Sequence, residues 1–236
     1  YMNKIDSNND EFINKIFVND NFDELFEYAS EKKYLKYINK FAIESLTLDK
    51  LKNFIIACYE EDKKKVHLVS KPYKFIIDPI NACNLKCPLC PTGLGESSRV
   101  KKVMKLDFFY NLIDNIKDYC IEVHLYNWGE PTLNKNLIEM IDYCSKNQIW
   151  TRISSNLSLE FKEGYLEKLI HSGLSLLHID LDGLDQDVYK KYRVKGDYNL
   201  VMKNLSEIVK IKKESKLKKP ILELAMLAMS QNEHQL

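Results

Sequence analysis

Along residues 1 to about 65, apolar side chains recur at three- and four-residue intervals: Phe12, Ile13, Ile16 and Phe17, then Phe22, Leu25 and Phe26, then Leu51, Phe54 and Ile55. That spacing predicts amphipathic helices. The charged run from Glu60 to Lys65 reads as a solvated helix end leading into a linker. From Tyr73 the pattern changes. Short apolar runs over Lys74 to Ile77, Ile121 to Tyr126, Trp150 to Ser154, Leu176 to Leu181 and Ile221 to Met226 predict strands. Longer helical patterns lie between them, over Asp107 to Tyr119, Leu137 to Asn147, Gly164 to His171 and Leu200 to Leu217. Alternation of this kind implies an α/β fold on a parallel sheet, either doubly wound or a (β/α) barrel. The chain divides into a helical N-terminal appendage and linker, 1–72, and an α/β core, 73–236.

In both architectures the chemistry gathers at the C-terminal ends of the strands. The unusual residues fall there: a cysteine cluster after the first strand, Trp128-Gly129-Glu130-Pro131 after the second, Ser154-Ser155-Asn156 after the third and Asp180-Leu181-Asp182-Gly183 after the fourth. The cluster is C-x3-C-x2-C, with Cys83, Cys87 and Cys90 on one loop and Pro88 and Pro91 stiffening it. Structural zinc takes four protein ligands in paired spacing, and the sequence has no second pair. An iron–sulfur cluster suits thiolates better, and three of them leave one iron of a four-iron cluster open to a ligand.

Composition narrows the field. Lys+Arg at 35 against Asp+Glu at 34 leaves a net charge of +1, so no global field draws the chain to nucleic acid or an anionic membrane. No apolar run reaches the roughly 20 residues of a spanning helix, and the N-terminus lacks a signal-peptide layout, which predicts a cytoplasmic protein. In a reducing compartment clustered cysteines indicate metal binding or catalysis rather than disulfides. Cys58, Cys120 and Cys144 stand apart and read as buried packing. His124 and His178, inside apolar strands, read as hydrogen-bonded core histidines unless they point into a barrel lumen.

The cysteine loop through Gly95, the run Tyr126 to Pro131, the stretch Ile179 to Tyr198 with Tyr192-Arg193-Val194-Lys195-Gly196-Asp197, and the ending Gln231-Asn232-Glu233-His234 together resemble the radical S-adenosylmethionine (radical SAM) superfamily, in the branch associated with a SPASM domain. The resemblance implies a partial (β/α)6 TIM-like barrel and an enzyme. Cys83, Cys87 and Cys90 would hold a 4Fe-4S cluster whose open iron chelates S-adenosylmethionine. Gly129, Glu130 and Pro131 would meet the methionyl amine, Ser154 and Asn156 would lie by the ribose, and Asp182 and Arg193 would complete the cofactor site, Arg193 offering a fork donor to the methionyl carboxylate. Reductive cleavage of the sulfonium would give a 5′-deoxyadenosyl radical that takes hydrogen from a peptide or carbohydrate-like substrate, with electrons from a partner such as flavodoxin or ferredoxin. Asp180 stands where the family commonly has Ser, which makes it a candidate substrate contact or base.

Simpler roles stand beside these. Glu130 could cap the segment that follows it, and Arg193 could pair with a carboxylate on the rim. The non-enzymatic alternative is an iron–sulfur or zinc-binding structural module, which needs a fourth ligand beside the loop. With five predicted strands and a chain ending at Leu236, the barrel is expected to be truncated before its sixth strand. The intact protein would then continue into a cysteine-rich domain, and this chain alone would be poorly soluble or oligomeric with at most one cluster.

Overall fold

The computed structural model describes residues 10–96 and 100–235. Residues 1–9 of the predicted appendage and Leu236 of the predicted core lie outside the described residues. The appendage is helical: α1 (Glu11–Val18), α2 (Phe22–Glu31) and α3 (Leu48–Asp62) start at Asp10, Asn21 and Thr47, whose side chains accept backbone N–H groups of the first turn. The core follows as β1 (Lys74–Ile76), α4 (Pro91–Leu94), α5 (Leu106–Ile116), β2 (Glu122–His124), α6 (Leu137–Lys146), β3 (Trp150–Ser155), α7 (Tyr165–His171), β4 (Leu176–Asp180), α8 (Gln186–Tyr192), α9 (Tyr198–Glu214) and β5 (Ile221–Ala225).

The strands form one parallel sheet in the order β1-β2-β3-β4-β5. An order that follows the chain without reversal is that of a barrel wall; a doubly wound sheet reverses at its switch point. The sheet is not closed, and β1 and β5 are its two edges, so the architecture is a partial TIM-like barrel. Val123, Ile153, Leu177 and Ile179 turn one face of the sheet toward α5, α6, α7 and α9 and form the main core with Phe109, Ile113, Met140, Leu169, Val201 and Ile208. Cys120 and Cys144 lie in this core and Cys58 in the other, all three buried as packing cysteines.

The second core joins the appendage to the barrel. Ile13, Leu25, Leu51, Phe54 and Ile55 pack with Ile121, Trp150 and Leu176, and Tyr73 and Ile221 lie against the same cluster. These five residues stand at the starts of the five strands, so the helices cover the N-terminal end of the sheet and leave the C-terminal end for the site. Polar ties reinforce the seam: Lys50 Nζ donates to the Asn147 and Gln148 carbonyls at 3.2 and 2.6 Å, and Asn39 N–H donates to Glu122 Oε1 at 2.7 Å. The apolar spacing of residues 1–65 shows that these helices have a buried face but is silent on what that face covers.

The predicted strands and helices are present with small differences at their ends. The helix α8 is absent from the sequence expectation, because Gln186–Tyr192 offers only Val188 and Tyr189 as buried apolar positions; its one signal is Asp185, whose side chain accepts the Val188 N–H. Among the described residues no helix is long and apolar enough to cross a membrane.

Candidate active site

The loop after β1 turns twice over itself. Cys90 N–H donates to the Cys87 carbonyl at 3.1 Å, and Lys86 N–H to the Val194 carbonyl at 2.9 Å, which ties the loop to the segment behind α8. Gly93 packs against it so closely that a Cβ there would stand 2.6 Å from the Cys87 carbonyl oxygen. The result places three thiols at the C-terminal mouth of the sheet, Cys87 buried and Cys83 and Cys90 half-buried.

The donor set around the sulfurs suits thiolates. Leu85 N–H donates to Cys83 Sγ at 3.4 Å, Asn156 Nδ2 lies 3.8 Å from the same sulfur, and Arg193 Nη1 lies 4.0 Å from Cys87 Sγ. Burial pushes the Cys83 thiol up to about 11 against the pull of the Leu85 N–H. Burial raises Cys87 too, with Arg193 opposing it. Ligation of a metal centre by these groups therefore releases protons. Among the described residues no three His, Cys, Asp or Glu side chains converge as ligands of a single ion do. A four-iron cluster asks for a different arrangement, one thiolate on each of three irons at separate corners.

The loop after β2 is fixed from both sides. A Cβ on Gly129 would meet the Ile80 carbonyl oxygen at 1.8 Å, so the missing side chain lets this backbone press against the cysteine loop. Glu130 N–H donates to the Ala82 carbonyl at 2.9 Å. The Glu130 side chain, 2% exposed, ties the loops after β2 and β3 together. Oε1 accepts from Thr132 N–H at 3.2 Å, Thr132 Oγ1 at 2.6 Å and Ser155 Oγ at 2.8 Å, and Oε2 accepts from Asn156 N–H at 2.9 Å. Three of the four donors converge on Oε1 and one meets Oε2, which keeps a lone pair open. Burial pushes its pKa up against those hydrogen bonds. Glu130 is thus the clamp between the loops after β2 and β3 and the cap of the turn Pro131–Leu133; Pro131 is the buried first residue of that turn.

The other residues of the mouth are held in the same way. Asn156 is buried with Nδ2 on Asn84 Oδ1 at 3.0 Å and Oδ1 accepting Ser158 N–H at 2.8 Å, so it braces the cysteine loop. Asp182 is buried and accepts Arg193 Nε at 2.5 Å and Leu227 N–H at 2.7 Å. Arg193 reaches Asp180 Oδ1 with Nη2 at 3.5 Å, and Ser154 Oγ donates to Asp180 Oδ2 at 2.7 Å. Arg193 is therefore the rim ion pair the sequence left open, and it also stands beside a cysteine. The structure brings Cys83, Cys87, Cys90, Gly129, Asn156, Asp180, Asp182 and Arg193 to one end of the sheet. Sequence reasoning marked Ser155 only as part of its loop and missed Asn84 and Thr132, which also hold these groups, and Arg152 and Glu223, which share a face with His178 and Asp180. The last two carry a readable signal: Arg152 and Ser154 flank Ile153, His178 and Asp180 flank Ile179, and Glu223 lies between Leu222 and Leu224, so polar and apolar positions alternate.

A family model for the radical SAM superfamily matches residues 77–218, which is more than half of the chain and runs from the end of β1 to the end of the helical region before β5. The chain belongs to the radical SAM superfamily. Among curated relatives it is 30% identical over 129 residues to a probable GTP 3′,8-cyclase of Methanococcus maripaludis, covering 55% of this chain and 43% of that protein. It is 29% identical over 153 residues to the Fe-coproporphyrin III synthase of Methanosarcina barkeri, covering 62% and 38%. The chain thus spans less than half the length of these relatives. Among solved structures, methylornithine synthase (PylB) superposes with a TM-score of 0.50 at 13% identity, over 84% of this chain and 54% of that one, a likeness of fold. Radical SAM proteins use a 4Fe-4S cluster and S-adenosylmethionine, and the three thiols with their N–H donors fit that cluster.

Proposed function

We propose that this chain is the catalytic core of a radical SAM enzyme of the SPASM-associated branch that takes hydrogen from a peptide or carbohydrate-like substrate. The observation that supports it most is the placement of Cys83, Cys87 and Cys90 on the one loop to which the loops after β2 and β3 and the Arg193 segment are all anchored. In this reading the three thiolates hold the cluster, and Asn156 and Arg193 point N–H groups at its sulfur ligands. Gly129 keeps the loop after β2 tight against the cysteine loop, and Glu130 fixes the spacing between the loops after β2 and β3. Asp180 faces the substrate side. When bound, the cluster supplies the electron that cleaves S-adenosylmethionine to a 5′-deoxyadenosyl radical, and the barrel's part is to position the substrate and exclude water. The electron would come from a cytoplasmic carrier such as flavodoxin or ferredoxin. The branch assignment rests on the Trp128-Gly129-Glu130-Pro131 and Tyr192 to Asp197 segments.

Equilibrium dialysis with labelled S-adenosylmethionine tests this reading. The anaerobically reconstituted chain is expected to bind one equivalent per cluster, and the same chain without iron and sulfide at least tenfold more weakly, roughly the loss of one charge-assisted contact set. Equal binding with and without the cluster would show that the cysteine loop is not where the cofactor sits.

A further inference from the structure

A charged network on the sheet face turned away from the helices meets the cysteine loop only through Arg193. Side chains alternate across a strand, so with Ile153, Leu177 and Ile179 packed against the helices, Arg152, Ser154, His178, Asp180 and Glu223 share the opposite face. Ser154 is in register with His178, and His178 with Glu223. The imidazole of His178 stands between two carboxylates, Nδ1 2.8 Å from Glu223 Oε2 and Nε2 3.4 Å from Asp180 Oδ1. Arg152 Nη2 lies 2.8 Å from both Glu223 Oε2 and His178 Nδ1.

The charges do not balance without a proton. Asp180, Asp182 and Glu223 face two guanidiniums, Arg152 and Arg193, which leaves one negative charge unless His178 is protonated. The neighbouring groups do not supply the missing charge. Tyr126, just beyond β2, lies with its ring 5.7 Å from the Arg152 guanidinium, and burial raises its hydroxyl, which keeps it neutral. His124, stacked on Tyr126, is turned to Glu122 at 3.3 Å, and Glu122 has its own cation in Lys74 at 3.4 Å. The hydrogen bond to Asp180 raises His178 above its ordinary value against burial, with Glu223 adding and Arg152 opposing. Glu223 is the most open member, its side chain 45% exposed, and its Oε1 accepts no hydrogen bond among the described residues.

We propose that this face binds the protonated amine of a substrate, the ammonium taking the place that the His178 proton fills in the charge balance. An anion would add to the surplus and a hydroxyl would leave it. Glu223 Oε1 offers the first acceptor and Asp180 the second. The inference rests on the function proposed above only in taking this face as the place where substrate enters.

Three probes of one shape test it by calorimetry on the reconstituted chain: butylammonium, butyrate and butanol. Butylammonium is expected to bind roughly tenfold more tightly at about pH 9 than at about pH 6, because it competes with the proton of His178, and to release a proton in the window where His178 titrates. The Glu223→Gln chain should lose about fivefold or more of that affinity, and the His178→Gln chain should bind with little pH dependence. Tighter binding of butyrate, equal binding of butanol, or butylammonium affinity that does not change with pH in the unaltered chain would overturn the proposal. The pH comparison needs no variant, so a variant that fails to fold does not decide it. Heat is read with no S-adenosylmethionine present, so failure here leaves cofactor cleavage intact, and failure of cleavage leaves amine binding intact.

Discussion

A chain carrying Cys83→Ala, Cys87→Ala and Cys90→Ala together is expected to take up no stoichiometric iron or sulfide on anaerobic reconstitution and to lose the brown absorbance of a thiolate-ligated cluster completely. The reason is the donor inventory. Cys58, Cys120 and Cys144 are 2%, 0% and 0% exposed in the two apolar cores, and burial drives Cys58 and Cys120 up to about 12 and Cys144 higher still. None of the three can become a thiolate ligand without unfolding its surroundings. The fold itself should survive, because Cys83 and Cys90 are only half-buried and the loop is held by backbone contacts from Lys86 to Val194 and from Ala82 to Glu130. Circular dichroism of the triple variant should overlay that of the parent. Retained iron and sulfide would mean that the ligands lie elsewhere.

The second large effect is at Glu130. Alanine there removes one carboxylate and strands the buried donors of Thr132, Ser155 and Asn156. Each buried donor left alone costs about 1–3 kcal/mol, and several in one network do not add fully. A loss on the order of 3 kcal/mol is expected, which for a chain of this size is a fall in Tm of roughly 6–12 °C. Gln restores the shape but sets its NH2 against an N–H at Asn156 or Thr132, so Glu130→Gln should recover only part. If Glu130 served only to receive a cofactor ammonium, its removal would weaken cofactor binding and leave the melting temperature where it was. Thermal unfolding of the cluster-free protein separates the two roles without any cofactor.

Much of this architecture is written in the order of apolar residues. Most strands carry a compact apolar run, and the rare residues after β1, β2, β3 and β4 mark the mouth of the barrel. What stays hidden is which atom meets which. Glu130 finds its donors on Ser155 and Asn156, 25 and 26 residues away, and nothing in the spacing of Gly129-Glu130-Pro131 says whether the carboxylate points into the mouth or between the loops. Arg193 meets Asp182 and Cys87 for the same reason, through a loop whose path depends on α8, a helix too polar to announce itself. The helical appendage shows the other limit. Its apolar faces predict helices, but that they close the N-terminal end of the sheet follows only from the residues at the five strand starts, which the packing brings together.

The central claim is that the cysteine loop makes this barrel an S-adenosylmethionine-cleaving centre, and the direct measurement is the 5′-deoxyadenosine formed by the chemically reduced, reconstituted chain with no substrate added. The account predicts slow formation of 5′-deoxyadenosine together with methionine in equal amounts, abolished in the triple cysteine variant. A fully loaded, reduced and folded chain that forms neither product would contradict it.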